Sequence, residues 1–358
     1  MVKLFATLIK IFSIKFKIEI IILVQTFFVF FNSFILVQIL KNLNIQIKPY
    51  YVLFFLLTPS VFIYSQLIMS EWLLMLLINL KFWLLTQKWS NRNFLYIQIV
   101  TILMAFTKPV FYPFIYLSFF YFLFFFFKKK QFSFYLFLPI IFLQLYLYHN
   151  EIRTGYKHFS SIENKNLINY NLFYYKSFTN SSNEAQLWLD SIYNEEYQKM
   201  NFEQKNKYLH EIGVSTIKDN FFGYSFYHFI NAFRGVFDPG RFDLMTFFKE
   251  EDGSEGFLEI LNGKKKFSSL FENNFFIVYL LLIPVFLFGV LKFFWFCYAL
   301  ATNKYSVHLK YIIMMFFYCI LITGPINCSR FMMPIQGIFF VFCIDGFISY
   351  KKKFRNAY

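Results

Sequence analysis

The chain has 358 residues, of which 58% are hydrophobic, far more than a soluble domain of this length can bury, so lipid must solvate much of it. The net charge of +15 comes from short loops between apolar segments, because residues 149–272 hold 14 Lys and Arg against 17 Asp and Glu. Basic residues in such loops set membrane topology and contact anionic lipid head groups, which argues against nucleic acid as a partner.

The first 17 residues predict an amphipathic helix on the membrane surface. Lys3, Lys10 and Lys17 are seven residues apart, so they lie on one face of a helix whose other residues are mostly apolar. The segment lacks the continuous apolar core and the small-residue cleavage site of a signal peptide. It also contains no Asp or Glu.

Nine apolar stretches are long enough, or nearly long enough, to cross a bilayer. They lie at 18–40, 50–67, 71–86, 94–107, 109–127, 131–148, 275–298, 309–323 and 331–348. The first six form a transmembrane block over 18–148 and the last three form a second block over 273–350. A basic cytoplasmic tail at 351–358 follows. The sequence therefore predicts an all-α polytopic membrane protein with about nine transmembrane helices.

The positions of Lys and Arg predict the orientation of these helices. The basic clusters fall on alternate sides of successive spans, so all of them lie on one face, which the positive-inside rule assigns to the cytoplasm. They are Lys41 with Lys48, Lys88 with Arg92, the lysines at 128–130, Lys304 with Lys310, and the lysines at 351–353 with Arg355. With no signal peptide and no endoplasmic-reticulum retention motif, we expect a bacterial inner membrane protein.

Residues 149–272 lie between the two blocks and predict an exported, mostly helical loop domain. The stretches 184–199 and 202–218 have the apolar spacing of helices, and 220–237 predicts an aromatic amphipathic helix at the membrane interface. Asp238, Pro239 and Gly240 end that helix with turn chemistry. By the same charge rule, this loop lies on the non-cytoplasmic side.

The motifs of several enzyme classes are missing from the sequence. There is no Walker loop, GxGxxG, HExxH or GxSxG, which argues against an ATPase, a dinucleotide enzyme, a zinc protease and a serine hydrolase. The five His have no ligand spacing, and the four Cys lie in or next to the last three apolar segments as expected for buried, inert thiols. We therefore predict no metal site and no cofactor.

Charged residues near the membrane are the candidates for function, because they are costly there unless they face a cavity or a partner. Glu71 is predicted either to bind a sugar hydroxyl or orient an acceptor at the outer mouth of a cavity, or to serve as an N-terminal helix charge with Ser70 as the cap. Lys108 and Arg330 are the basic residues of short outer loops. They are predicted to bind the phosphate of a lipid carrier, or to snorkel to outer-leaflet phospholipid.

Two further charged residues lie close to the cytoplasmic ends of their predicted spans. Lys81 is expected to snorkel to the inner head groups. Asp345 is expected to pair with a lysine of the 351–353 triplet. Neither is a predicted site residue.

In these places the chain resembles the GT-C superfamily of polyprenyl-phosphate-sugar-dependent glycosyltransferases, which includes protein O-mannosyltransferases and the aminoarabinose transferases of lipid A. The similar pieces are the helix pair with Pro59, Tyr64, Ser70 and Glu71, the Lys108-Pro109 junction, and Arg330-Phe331 with Pro334 at the opening of the last helix. The order of spans, with a large exported loop before a final group of helices, is also similar.

The resemblance implies an inverting enzyme that transfers a sugar from a polyprenyl-phosphate donor to a lipid, glycan or protein acceptor on the outer face. A carboxylate would act as general base toward the acceptor hydroxyl. Glu71, Lys108 and Arg330 would line the cavity, and the two basic residues would stabilise the phosphate leaving group.

The expected catalytic acid of that superfamily, generally an Asp in the loop after its first helix, has no counterpart in residues 1–17. The resemblance thus implies that a first helix and its catalytic loop are missing, because the true start lies upstream or because the protein is a shortened relative. The catalytic residue stays unassigned. Two alternatives remain open: an envelope polysaccharide polymerase, ligase or flippase, and a non-catalytic scaffold or degenerate enzyme.

Overall fold

In a computed structural model of the protein, the residues described are 17–46, 48, 50–56, 58–65, 67–240 and 275–355. They form helices and no strands, which confirms the all-α class. The predicted surface helix, except for Lys17, and the stretch 241–274 of the predicted loop domain lie outside the described residues.

Seven helices are described before residue 155. They are α1 Lys17–Asn42, α2 Tyr50–Leu56, α3 Pro59–Ser65, α4 Glu71–Thr86, α5 Asn91–Thr107, α6 Tyr112–Lys129 and α7 Leu138–Thr154. Short 3-10 turns at Pro109–Phe111 and Phe134–Phe137 precede α6 and α7. Lys108 is extended, with φ −139°, because it precedes a proline, and α5 ends there. Gly155 ends α7 with a φ of +74°.

Six α-helices and one π-helix are described in the predicted loop domain. The α-helices are α8 Glu163–Asn166, α9 Phe173–Thr179, α10 Ser182–Ile192, α11 Glu195–Lys199, α12 Phe202–Asp219 and α13 Phe221–Phe237, and the π-helix Leu167–Leu172 joins α8 to α9. The predicted helices at 184–199, 202–218 and 220–237 are confirmed, with one interruption between α10 and α11. A capping box fixes the start of α12, since Asn201 and Gln204 each bind the other's backbone N–H.

The C-terminal part contains α14 Phe275–Thr302, α15 Val307–Thr323, α16 Ser329–Met332 and α17 Gln336–Arg355. Turns of 3-10 helix at Gly324–Ile326 and Met333–Ile335 flank α16. Pro284 lies inside α14 without ending it.

Five helical segments are long and apolar enough to cross a membrane, which supports the prediction of a membrane protein. They are Glu19–Asn42, Pro109–Lys129, Leu282–Thr302, Val307–Ile326 and Ser329–Lys353. The other four predicted spans are helical but shorter. The stretch 50–67 is divided into α2 and α3, and the 16 residues of α4 extend only about 24 Å, less than the hydrocarbon thickness of about 30 Å. The count of nine spans is not confirmed.

The chain divides into two compact units. The first unit comprises the described residues of 1–88, 235–316 and 328–358, and the second comprises 89–234 and 317–327. In the first unit, an aromatic cluster joins α14, α15 and α17, with Phe296, Phe316 and Phe339 all buried and their ring centroids 4.6 to 5.6 Å apart. A buried bond of 2.7 Å from Asn79 to Asn32 joins α4 to α1.

The second unit has an aromatic core around Trp89, Phe94 and Phe122 at one end. The predicted loop domain contributes a separate apolar core, made of buried residues from the helices between 163 and 237. These residues are Ile168, Leu172, Tyr175, Ile192, Tyr197, Leu209 and Tyr224.

Candidate functional site

The structure brings two of the three predicted site residues together. In the first unit, Nε of Arg330 donates a hydrogen bond of 2.6 Å to Oε1 of Glu71, although the two residues are 259 positions apart in sequence. The side chain of Glu71 is 1% exposed, whereas that of Arg330 is 41% exposed. The anionic group that compensates Arg330 in this structure is therefore a carboxylate of the same unit.

Two helix starts position this ion pair. Glu71 is the first residue of α4, where its negative charge interacts favourably with the helix dipole. The predicted cap by Ser70 is wrong, because the Ser70 side chain accepts no backbone N–H; its hydroxyl instead lies 3.5 Å from Oε2 of Glu71. Arg330 lies in α16, just before the last apolar helix.

A third charged residue, Asp238, is hydrogen-bonded to the first residue of α16, the helix that contains Arg330. Its Oδ2 accepts the backbone N–H of Ser329 at 2.8 Å, and its Oδ1 accepts that of Gly240 at 3.0 Å. The N-cap of α16, Cys328, provides no side-chain cap, so Asp238 satisfies one of the N–H groups that a helix start leaves open. From the sequence alone, Asp238 is predicted only as part of a turn.

A cavity of about 250 Å³ lies beside Asp238 within the first unit. Its polar walls come from Asp238, Ser329, Ser60 and Lys292. Thr58 and Gln336 also line the cavity, and the rest of its wall is formed by apolar residues and glycines: Gly235, Val236, Phe237, Pro239, Pro284, Val285, Phe288 and Gly289. A carboxylate, hydroxyls and an ammonium group in a mostly apolar pocket are the groups that orient a polar ligand. Glu71 does not line this cavity.

Lys292 is a functional candidate that the sequence analysis did not identify. It lies within the apolar segment Leu282–Thr302, and a charge at that position is a signal for function in a membrane helix. Its neighbours in sequence are Val, Leu and Phe, so it lies within the apolar run and away from the loops and span ends that carry the other candidates.

Lys108 belongs to the second unit. Its backbone N–H binds the Met104 carbonyl oxygen at 3.0 Å, and its own carbonyl accepts the N–H of Phe111 at 3.0 Å. The predicted junction is thus a defined turn between α5 and α6.

The expectations for Lys81 and Asp345 are wrong. Lys81 is 0% exposed and does not snorkel; its ammonium lies 4.9 Å from the centroid of the Tyr311 ring. Among the described residues, the partners of Asp345 are Asn303 at 2.8 Å and Tyr305 at 2.7 Å, both in or next to the loop between α14 and α15, and not a lysine. Both residues therefore have their contacts within the first unit.

The cysteines differ from the expectation in one case. Cys319 and Cys343 are buried and Cys328 is partly buried, but Cys297 is exposed. Within the described ranges, no three His, Cys, Asp or Glu side chains are grouped as metal ligands.

No protein family, curated protein or solved structure matches this chain. The resemblance to the GT-C superfamily therefore depends on the residues of the sequence alone.

Proposed function

We propose that the protein is a membrane glycosyltransferase that moves a sugar from a polyprenyl-phosphate carrier to an acceptor hydroxyl in the Asp238 cavity. The observation that carries this proposal is the composition of the cavity wall. A carboxylate, three hydroxyls and an ammonium group line a space of about 250 Å³ in a chain with five helices long and apolar enough to cross a membrane. Hydroxyls and carboxylates bind sugar hydroxyls, and a cation suits a phosphate.

Asp238 is the base in this mechanism. The acceptor oxygen attacks the anomeric carbon of the donor sugar, its proton passes to a carboxylate oxygen of Asp238, and the bond between the anomeric carbon and the phosphate oxygen breaks. The phosphate leaves with that bonding pair, and the configuration inverts. Two backbone N–H groups, of Gly240 and Ser329, hold the carboxylate in position.

The Glu71–Arg330 pair has a positioning role in this proposal. Arg330 directly follows Ser329, so the ion pair fixes the chain segment whose N–H holds Asp238. The sequence predicts substrate binding by Glu71 and Arg330 and leaves the base unassigned; here both residues have a positioning role and Asp238 is the base.

Transfer of a radiolabelled sugar from polyprenyl phosphate, in membranes that contain the protein, tests the proposal. Asp238→Asn keeps an oxygen acceptor and the side-chain shape but removes the base, so transfer should fall by about 100-fold or more. Asp190→Asn is the matched control, since Asp190 is exposed on α10 and binds only Gln186 among the described residues. Wild-type rates in Asp238→Asn, or no transfer by the wild-type protein from any lipid-linked sugar tested, would refute the proposal.

A further inference from the structure

Lys292 lies inside the apolar helix α14, ten residues before its end at Thr302, so about 15 Å of helix separates it from that end. Charged residues within membrane helices are costly and face a cavity or a substrate path.

Aromatic rings hold the ammonium group of Lys292. Its Nζ lies 5.3 Å from the ring centroid of Phe288 and 5.5 Å from that of Phe339. In the described part of the chain, no carboxylate lies within ion-pair distance of it. Among the described residues, the rings are therefore the groups that stabilise the positive charge, and they leave it able to bind an anion.

Two cavities meet at Lys292. One is the polar Asp238 cavity, and the other is an almost wholly apolar cavity of about 270 Å³ in the same unit. Both are lined by Thr58, Phe288, Lys292 and Gln336. The rest of the apolar wall is mainly aromatic and aliphatic, with Tyr51, Phe55, Leu291, Trp295, Phe340, Cys343, Ile344 and Phe347. Lys292 thus lies on the boundary between a polar chamber and a hydrocarbon-like chamber.

The shape and chemistry of this pair fit an amphiphile with an anionic head and one hydrocarbon chain. The apolar cavity of about 270 Å³ has room for the first part of one hydrocarbon chain. Leu291 is 47% exposed and Phe288 is 38% exposed in the described structure, so a chain can reach the cavity from the bilayer.

The wall of the polar cavity provides hydrogen-bond donors for a phosphate in addition to the charge of Lys292. Ser60, which is 4% exposed, adds a hydroxyl, and Gln336 adds an amide. These groups and the ammonium group can each donate to a different oxygen of one phosphate. Asp238, on the same wall, has both oxygens bound by backbone N–H groups, which moderates its repulsion of the phosphate.

We infer that Lys292 binds the phosphate of a single-chain prenyl phosphate whose first isoprene units occupy the apolar cavity. This inference rests on the proposed function, for which it supplies the donor site: the sugar would extend into the Asp238 cavity. Lys292 is then the cation that stabilises the phosphate as it leaves.

Binding of radiolabelled farnesyl phosphate to the full chain in phosphatidylcholine nanodiscs tests the inference. Lys292→Met should weaken binding at least about 10-fold, whereas Lys292→Arg should stay within about 3-fold of wild type. Lys310→Met, at an exposed lysine, is the control and should bind as wild type. Replacing a charge in a membrane helix by Met favours insertion, so Lys292→Met is expected to fold.

Competitor molecules identify the chemistry of the site. Unlabelled farnesyl phosphate should displace the label, while farnesol, inorganic phosphate, oleate and phosphatidylglycerol should each compete at least about 10-fold less well. Unchanged binding in Lys292→Met would overturn the inference, as would equal competition by oleate or phosphatidylglycerol, which would indicate a general anionic-lipid site.

The two proposals fail in different ways. Farnesyl phosphate binding that depends on Lys292, without sugar transfer by the wild-type protein, would refute the proposed function and support the lipid site. Sugar transfer by Lys292→Met with the wild-type KM for the donor would refute the lipid site and support the proposed function.

Discussion

The ion pair between Glu71 and Arg330 is the strongest charge interaction of the candidate site, because one partner is buried. Arg330→Ala leaves the Glu71 carboxylate buried without this cation. We expect it to lower the free energy of unfolding by about 2–3 kcal/mol, less than the about 3–5 kcal/mol of a fully buried pair because Arg330 is half-exposed. Thermal unfolding of the purified protein in detergent measures the loss.

The Glu203–Lys207 pair is a matched control. Its nitrogen–oxygen distance is also 2.6 Å, but both side chains are exposed on α12, so Lys207→Ala should change stability little. The double variant Glu71→Gln with Arg330→Met should recover much of the loss, because no unpaired buried charge remains. An Arg330→Ala variant as stable as Lys207→Ala would contradict the prediction.

Gly324 lies at a position where the surroundings leave no room for a side chain. It has a φ of +54°, and an added Cβ would lie 2.6 Å from Nδ1 of His228. The His228 ring cannot easily move, because its Nε2 binds the Leu321 carbonyl oxygen at 2.7 Å. Gly324→Ala should therefore cost more than the about 1–2 kcal/mol of the backbone conformation alone, as measured by thermal unfolding.

A double-variant cycle separates the two causes at Gly324. In a His228→Ala background the ring is gone, so Gly324→Ala should cost only the backbone part. Equal costs in both backgrounds would show that the ring does not restrict this position.

The sequence singles out Glu71 and Arg330 but does not predict that they pair with each other. Glu71 and Arg330 were found because a charge beside an apolar segment is costly, but pairing across 259 residues depends on packing that no local pattern encodes. Lys292 could have been identified from the sequence, because it is a charged residue within an apolar run. Lys81 is buried and does not reach the head groups, because its position along the helix does not determine whether its side chain faces lipid or another helix.

At the scale of elements, the contact between α14 and α17 depends on Gly346. A Cβ there would overlap the Trp295 carbonyl oxygen and lie 3.1 Å from the Cβ of Ala299. Small residues allow membrane helices to approach this closely, and the overlap is with backbone that cannot rotate away. Gly346→Ala should thus destabilise the protein by about 1–3 kcal/mol or more.

Gly289→Ala is the control for this contact, since it lies in α14 and its nearest new neighbour is the Val236 carbonyl oxygen at 3.9 Å. That variant should be at least as stable as wild type, because alanine favours a helix over glycine. Comparable losses in both variants, in detergent thermal unfolding, would mean that Gly346 does not set the distance between the helices.

Helices were easier to predict than their interruptions. Apolar runs of 14 or more residues predicted almost all of the described helices outside the loop domain, because hydropathy is a sum that tolerates local errors. The division of 50–67 into α2 and α3 was not predicted, although Pro59 provides the signal, since it opens α3 and disfavours a helical conformation at Thr58. The Asp238 contact with Ser329 joins segments distant in sequence and had no local signal.

At the scale of the whole molecule, the composition predicts a membrane protein, and the five long apolar helices support that prediction. The number of crossings is harder to predict. Helices such as α4 and α5 are shorter than the hydrocarbon thickness, so they either thin the membrane locally or lie within the protein without crossing it. Only their accessibility from each side distinguishes these arrangements.

The predicted orientation can be tested with single cysteines in a variant without the four native ones, of which Cys297 is exposed. Asp190→Cys on α10, Gln131→Cys before α7 and Lys304→Cys after α14 all replace exposed residues. The charge rule places only Asp190 outside the cytoplasm, so a membrane-impermeant maleimide should label Asp190→Cys in intact cells and the other two only after permeabilisation. The predicted topology puts Gln131 and Lys304 on the same side, because α7 and α14 each cross the membrane once between them. If Gln131→Cys were labelled in intact cells while Lys304→Cys stayed protected, the two residues would lie on opposite sides. The number of crossings between them would then be odd, and the predicted topology would be wrong.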